Sequence, residues 1–243
     1  VRSGGVWTLQ QKLVGSDAVN GDTFGISVAI SGDTIVVGNH ADMVDNNSSQ
    51  GSAYVFVRNG TTWTQQQKLT ASDGIANDVF GRGVDIDGDT IIAGAWGYDL
   101  GSTNQGAAYI FTRSGTVWTE RTILTASDAS ANDFFGQSVA LSGNTAIIGA
   151  YADNNGPVGD QGSAYIFVGS GANWTEQQRL VASDGAASDI FGYSVAISGE
   201  TAVVGAYQDD PGANSDQGSA YVYVRSGTTW TEQQKLIAVD GAA

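Results

Sequence analysis

The chain has 243 residues, of which 41% are apolar and only 14% charged, and it carries six Trp, no Cys and a formal charge of −15. This length supports one large domain or two small ones; the apolar and aromatic content excludes a disordered acidic chain, and the lack of Cys excludes disulfides and thiolate chemistry. Twenty-five acidic against 10 basic residues repel phosphate backbones and anionic bilayers, so nucleic-acid binding and membrane insertion are not expected, whereas cations, neutral glycans or basic proteins suit such a surface.

Along the chain the same elements return at a fixed period. Trp7, Trp63, Trp118, Trp174 and Trp230 each open a Trp-Thr pair, at steps of 56, 55, 56 and 56 residues. Phe24-Gly25, Phe80-Gly81, Phe135-Gly136 and Phe191-Gly192 keep the same phase, as do the Ala-Tyr pairs ending at Tyr54, Tyr109, Tyr165 and Tyr221. Phased on Trp, the units run 7–62, 63–117, 118–173 and 174–229, with a partial fifth over 230–243. Repeats of this length belong to stacked or radial architectures.

Each unit predicts four short strands. Ser27–Ser31 alternates, with Val28 and Ile30 opposite Ser27, Ala29 and Ser31. A Gly32-Asp33 hairpin turn leads to Ile35-Val36-Val37, an unbroken apolar run that implies burial on both faces. A long polar loop leads to a third strand near Ser52–Val57, and Asn59-Gly60 turns into the outer strand Trp63–Leu69. Gly is abundant at 34 residues against two Pro, and no segment carries a helical apolar period, so the expectation is all-β with essentially no helix. A four-stranded unit cannot bury two apolar faces alone, and radial closure as a β-propeller meets that need. The small-residue first strand belongs at the axis. Five outer strands against four blades leave one spare, which fits a four-bladed propeller, a half that joins a second chain, or a piece of a longer array. The chain opens at Val1 without Met and is expected to be a processed or excised segment.

The Phe-Gly pairs, with Gly38, Gly94-Ala95, Gly149-Ala150 and Gly205-Ala206 downstream, resemble FG-GAP repeats, as in integrin α-subunit propellers and bacterial surface proteins. Asn39 stands where the later repeats have Ala. The resemblance implies a propeller, an extracellular or cell-surface location and adhesion or ligand binding. Calcium-binding repeats of that family carry an Asp-rich loop between the first two strands; here Ser31-Gly32-Asp33-Thr34 is too short to wrap an ion.

Three residue groups are candidate sites. His40, Trp96, Tyr151 and Tyr207 share one repeat position after the second strand, with Asp42, Asp99, Asp153 and Asp209 within three residues. Aromatic faces stack on sugar C–H surfaces and carboxylates accept hydroxyl hydrogen bonds, so this set predicts a glycan or peptide site; packing between blades accounts for the same pattern. The loops also hold Asp45, Asp160, Asp210 and Asp216, with Asn155 and Asn214, which are hard oxygen donors of the kind calcium takes, at spacings that match no known calcium loop. Asp85 and Asp87 break the Ala-x-Ser pattern of the first strand and form the third candidate. Asp22, Asp78, Asp133 and Asp189 recur two residues before each Phe-Gly, which predicts backbone capping. With one His and no nucleophile motif, no catalytic residue is expected. The expected function is a non-enzymatic extracellular binding or adhesion module for a glycan or protein; the alternative is a spacer that self-associates through its outer strands.

Overall fold

The computed structural model describes residues 1–154, 156, 159–211 and 215–238. They form four antiparallel four-stranded sheets in the blade pattern of a β-propeller, with no helix among them. A short hairpin, β1 (Arg2–Ser3) and β2 (Val6–Trp7), precedes them.

Blade one is β3 (Val28–Ser31), β4 (Thr34–Asn39), β5 (Ser52–Asn59) and β6 (Thr62–Leu69). Blade two is β7 (Val84–Asp87), β8 (Thr90–Ala95), β9 (Ala107–Ser114) and β10 (Val117–Leu124). Blade three is β11 (Phe135–Ser142), β12 (Thr145–Ala150), β13 (Ser163–Ser170) and β14 (Asn173–Leu180). Blade four is β15 (Phe191–Ser198), β16 (Thr201–Ala206), β17 (Ser219–Ser226) and β18 (Thr229–Leu236). Within each blade the strands pair in chain order, because each hairpin joins sequence neighbours. The first strands β3, β7, β11 and β15 contact one another from blade to blade, so they form the inner edge.

Each sheet therefore starts at Phe-Gly (blades three and four) or shortly after it (blades one and two) and ends with the outer strand of the next Trp-phased unit. The N-terminal copy of that strand differs from expectation. Only Val6–Trp7 is a strand, paired with Arg2–Ser3, and residues 8–13 join no sheet. Among the described residues no third strand lies beside them.

The core lies between blades. One cluster joins Ala29, Val36 and Val55 of blade one to Val84, Ile86 and Ile91 of blade two. The next joins Ile92 and Ile110 to Val139 and Ile148 of blade three, and a third joins Ile147 and Ile166 to Phe191 and Val204 of blade four. The second strands of blades one to three are buried on both faces, as their unbroken apolar runs require, whereas β16 of blade four is buried on one face and partly open on the other.

The Phe-Gly pair explains itself physically. Phe80 is fully buried, edge-on to Tyr109 at 5.3 Å and Phe111 at 6.0 Å, and Phe135 repeats this against Tyr165 and Phe167. The downstream Gly is demanded by the next blade. A Cβ on Gly94 would lie 1.9 Å from the Gly136 carbonyl oxygen, and one on Gly149 1.9 Å from that of Gly192.

Candidate functional site

The residues after the second strands sit on one face of the array, and three of the four belong to a continuous aromatic strip. Trp96 lies edge-on to Phe134 at 5.0 Å, and Phe134 stacks on Tyr151 at 5.1 Å with an 8° angle between rings. Tyr151 meets Tyr193 edge-on at 5.7 Å, and Tyr193 lies 4.7 Å from Tyr207. The strip thus runs from blade two to blade four. Tyr193 and Tyr207 are the most open rings, at 37% and 51% exposure. Beside it a cleft of about 360 Å³ is lined by Phe134, Tyr151 and Ile190, with Asn132, Asp160, Ser188 and Gln208 as polar groups.

His40 stands apart from these rings. Its Nδ1 lies 3.1 Å from Thr23 Oγ1, and burial with the nearby Arg82 cation holds its pKa below the usual imidazole value. Arg82 Nε in turn donates to Gln137 Oε1 at 3.3 Å.

Two positions of this face escape a reading of the loops alone. Ile26, Arg82, Gln137 and Tyr193 each follow a Phe-Gly pair, and their variation within an otherwise constant motif is the signal that marks them. Val79, Phe134 and Ile190 precede the Phe-Gly, all in left-handed backbone at φ 55, 56 and 60. Such angles are strained for bulky side chains and persist only where the surroundings impose them. The preceding blade does so: Phe134 N–H donates to Asn104 O at 3.1 Å and Phe135 N–H to Gln105 O at 3.1 Å.

Three of the four carboxylates lie below this surface. Asp42 is buried and accepts from Ser52 Oγ at 2.5 Å, Tyr54 OH at 3.3 Å and Lys68 Nζ at 2.7 Å. Asp153 accepts from Tyr165 OH at 2.7 Å and Arg179 at 2.6 Å, and Asp209 from Ser219 Oγ and Lys235. Burial alone would lower the Lys68 pKa, but its bonds to Asp17 and Asp42 outweigh that and raise it. Asp99 is exposed and accepts the Asn104 N–H at 2.5 Å.

Of the calcium candidates, Asp85, Asp87 and Asp210 accept backbone N–H groups. Asp210 accepts the Asp216 N–H at 2.6 Å and Asn154 the Asp160 N–H at 2.9 Å, with Asp160 and Asp216 in left-handed backbone. Asp45 is exposed, at φ 50. Asp85 accepts the Leu141 N–H at 2.7 Å and Asp87 the Gly143 N–H at 2.6 Å, so both bind blade two to blade three. Among the described residues no three His, Cys, Asp or Glu side chains converge as a metal site. Asn155 and Asn214 lie outside the described residues. The Asp before each Phe-Gly caps backbone as expected: Asp78 accepts from Ile75 N–H at 2.7 Å and Asp133 from Ser130 N–H at 2.5 Å.

Four in-phase blades, each built on a buried Phe and a glycine that admits the next blade, define a class of propeller repeat. The chain belongs to the FG-GAP repeat family, which it matches over residues 7–56, 63–111, 118–167 and 174–223. No curated protein matches the chain.

Proposed function

We propose that the chain is an extracellular, non-enzymatic binding or adhesion module whose ligand lies along the strip from Trp96 to Tyr207. The observation that carries this reading is the unbroken series of five rings across three blades. Half-open rings offer apolar faces to sugar C–H groups, and Arg82 with Gln137 offers hydrogen-bond donors at the strip's edge. A neutral glycan fits this chemistry best; a protein ligand contributing apolar side chains is the other occupant. The reading uses no cation and no catalytic group. The extracellular location is supported by the likeness of the repeats to those of surface proteins.

A glycan-array screen followed by titration of the bound sugar tests the reading. Tyr207→Ala and Tyr193→Ala should each weaken binding roughly up to tenfold, the scale of one lost ring contact, while unfolding midpoints stay near wild type. Unchanged affinity in the double variant would refute the site.

A second reading, a spacer that self-associates by exchanging an outer strand, rests on residues 8–13, which lie along blade one outside any sheet.

A further inference from the structure

One internal junction differs from the one before it in a way that builds a pocket. Between blades three and four, the cleft of about 360 Å³ has Asn132, Tyr151 and Asp160 on one side and Ser188, Ile190 and Gln208 on the other. At the junction between blades two and three, the places of Tyr151 and Ile190 are held by Trp96 and Phe134, whose rings meet edge-on at 5.0 Å. The places of Asp160 and Ser188 are held there by Asn104 and Asn132. Asn104 Nδ2 donates to Asn132 Oδ1 at 3.0 Å and ties the two blades together. Ala152 stands where the later junction has Gln208. These exchanges shrink two side chains, remove a polar tie and add an amide, all at a junction inside the array.

The polar groups of the cleft are unspent. Among the described residues, Ser188 Oγ, the Gln208 side-chain amide and the Asp160 carboxylate have no hydrogen-bond partner on the protein. Asn132 uses only Oδ1, which leaves its Nδ2 free to donate. A volume of about 360 Å³ lies near the lower end of small-ligand pockets, so it suits one sugar ring and not a chain of them. Tyr151 and Ile190 form an apolar wall beside these donors and acceptors. A pyranose presents the complement, with C–H groups on its faces and hydroxyls around its rim. The Asp160 carboxylate accepts and cannot donate. Its two oxygens suit two neighbouring hydroxyls, and its charge rejects an anionic sugar.

We propose that this cleft seats one uncharged pyranose ring of the glycan, with two adjacent hydroxyls on Asp160, and so selects which glycan the strip holds. The assignment rests on the strip as the ligand surface and names the unit of the ligand that is read there. Asp160 is its specificity-determining residue.

Saturation-transfer NMR tests it, with methyl α-glucopyranoside, α-mannopyranoside and α-galactopyranoside as probes and methyl glucuronide as the anionic control. At least one neutral glycoside should receive saturation from the chain, and the glucuronide none. Asp160→Asn with Ser188→Asn transplants the tie of the preceding junction. The backbone accepts it, since Asn77 and Asn132 already sit at φ 71 and 66 where Ser188 sits at 69. Ile190→Phe separately restores the missing ring. Both variants should keep the wild-type unfolding midpoint and lose affinity for the neutral glycoside, and for a glycan taken from an array, at least tenfold. A glycan that is lost with Tyr193→Ala and Tyr207→Ala, yet held fully by both cleft variants, would overturn the cleft and leave the strip standing. A glycan held equally by strip and cleft variants would overturn both. Failure of every neutral glycoside to bind, or equal binding of the glucuronide, would count against the cleft alone.

Discussion

Gln67 holds the backbone of Trp118 with both ends of its amide: Nε2 donates to the Trp118 carbonyl and Oε1 accepts the Trp118 N–H, each at 2.8 Å. Its neighbour Gln66 accepts the indole N–H at 3.0 Å. Consecutive strand residues ordinarily point to opposite faces. Here the register shifts at this point of β6, with Val55 opposite Gln67 and Phe56 opposite Gln65, so Gln66 is the bulged residue. The bulge turns both amides toward the next blade. Gln177 and Gln178 grip Trp230 in the same way, but blade two has Arg121 and Thr122 instead, and Trp174 donates to its own turn at Gly171.

Gln67→Ala should therefore cost about 1–3 kcal/mol, the scale of two hydrogen bonds and an orphaned backbone group. Arg121→Gln with Thr122→Gln should install the missing grip on Trp174 and add about 1 kcal/mol. Urea unfolding of both variants checks the pair. Equal stability of all three chains would mean that the amides are incidental.

Gly94→Ala should be severe, because the added methyl meets a carbonyl of the neighbouring backbone, which cannot yield as a side chain can. A loss of at least about 3 kcal/mol is expected, at the upper end of overpacking costs. Gly205→Ala, with only the Ser194 hydroxyl in its way, should lose far less. Thermal unfolding of the two variants side by side reads the difference.

Burial pushes Asp78 and Asp133 up to about 6, against the opposing pull of their backbone N–H donors. Between the usual carboxylate range and about pH 6 the folded chain holds protons that the unfolded chain has released. Their contribution to stability therefore falls as pH rises through that window and is level above it. Asp17 and Asp184, lowered chiefly by hydrogen bonds from Lys68 and Lys235, act oppositely and lose their contribution as the medium turns acid. Asp78→Asn with Asp133→Asn keeps the capping acceptors and should lessen the decline between about pH 4 and 6, as read from unfolding midpoints across pH, with Asp85 and Asp189, also raised by burial, leaving a remainder.

Chelation should leave the unfolding midpoint unmoved, because Asp42, Asp153 and Asp210 are already engaged by a hydroxyl, a cationic side chain and a backbone N–H group. A rise of several degrees on adding calcium would show an ion bound by the folded state and would contradict this.

Much of the fold was legible from the chain. The Trp, Phe-Gly and Ala-Tyr markers placed the four strands, and the unbroken apolar run Ile91-Ile92-Ala93 correctly marked a doubly buried strand. The aromatic positions 96, 151 and 207 were legible because they vary inside a constant frame. Phe134 and Tyr193 were not, since their place on the strip depends on a left-handed backbone and on the inter-blade bonds that impose it. Nor does sequence distance reveal that Asp42, Asp153 and Asp209 turn inward. Their partners, Lys68, Arg179 and Lys235, sit 26 residues away on the outer strand, and only the folded sheet brings them together. Residues 8–13, which repeat the outer-strand pattern, join no sheet among the described residues, because strand pairing depends on a partner edge that no local pattern reports.

The most direct test of the aromatic strip as a binding surface is transfer of NMR saturation between the chain and a glycan taken from an array screen. The result expected is contact between sugar ring protons and the rings of Tyr151, Tyr193 and Tyr207, abolished in a chain with all three replaced by Ala. Binding that survives the triple replacement, or sugar contacts that fall on another face, would contradict the account.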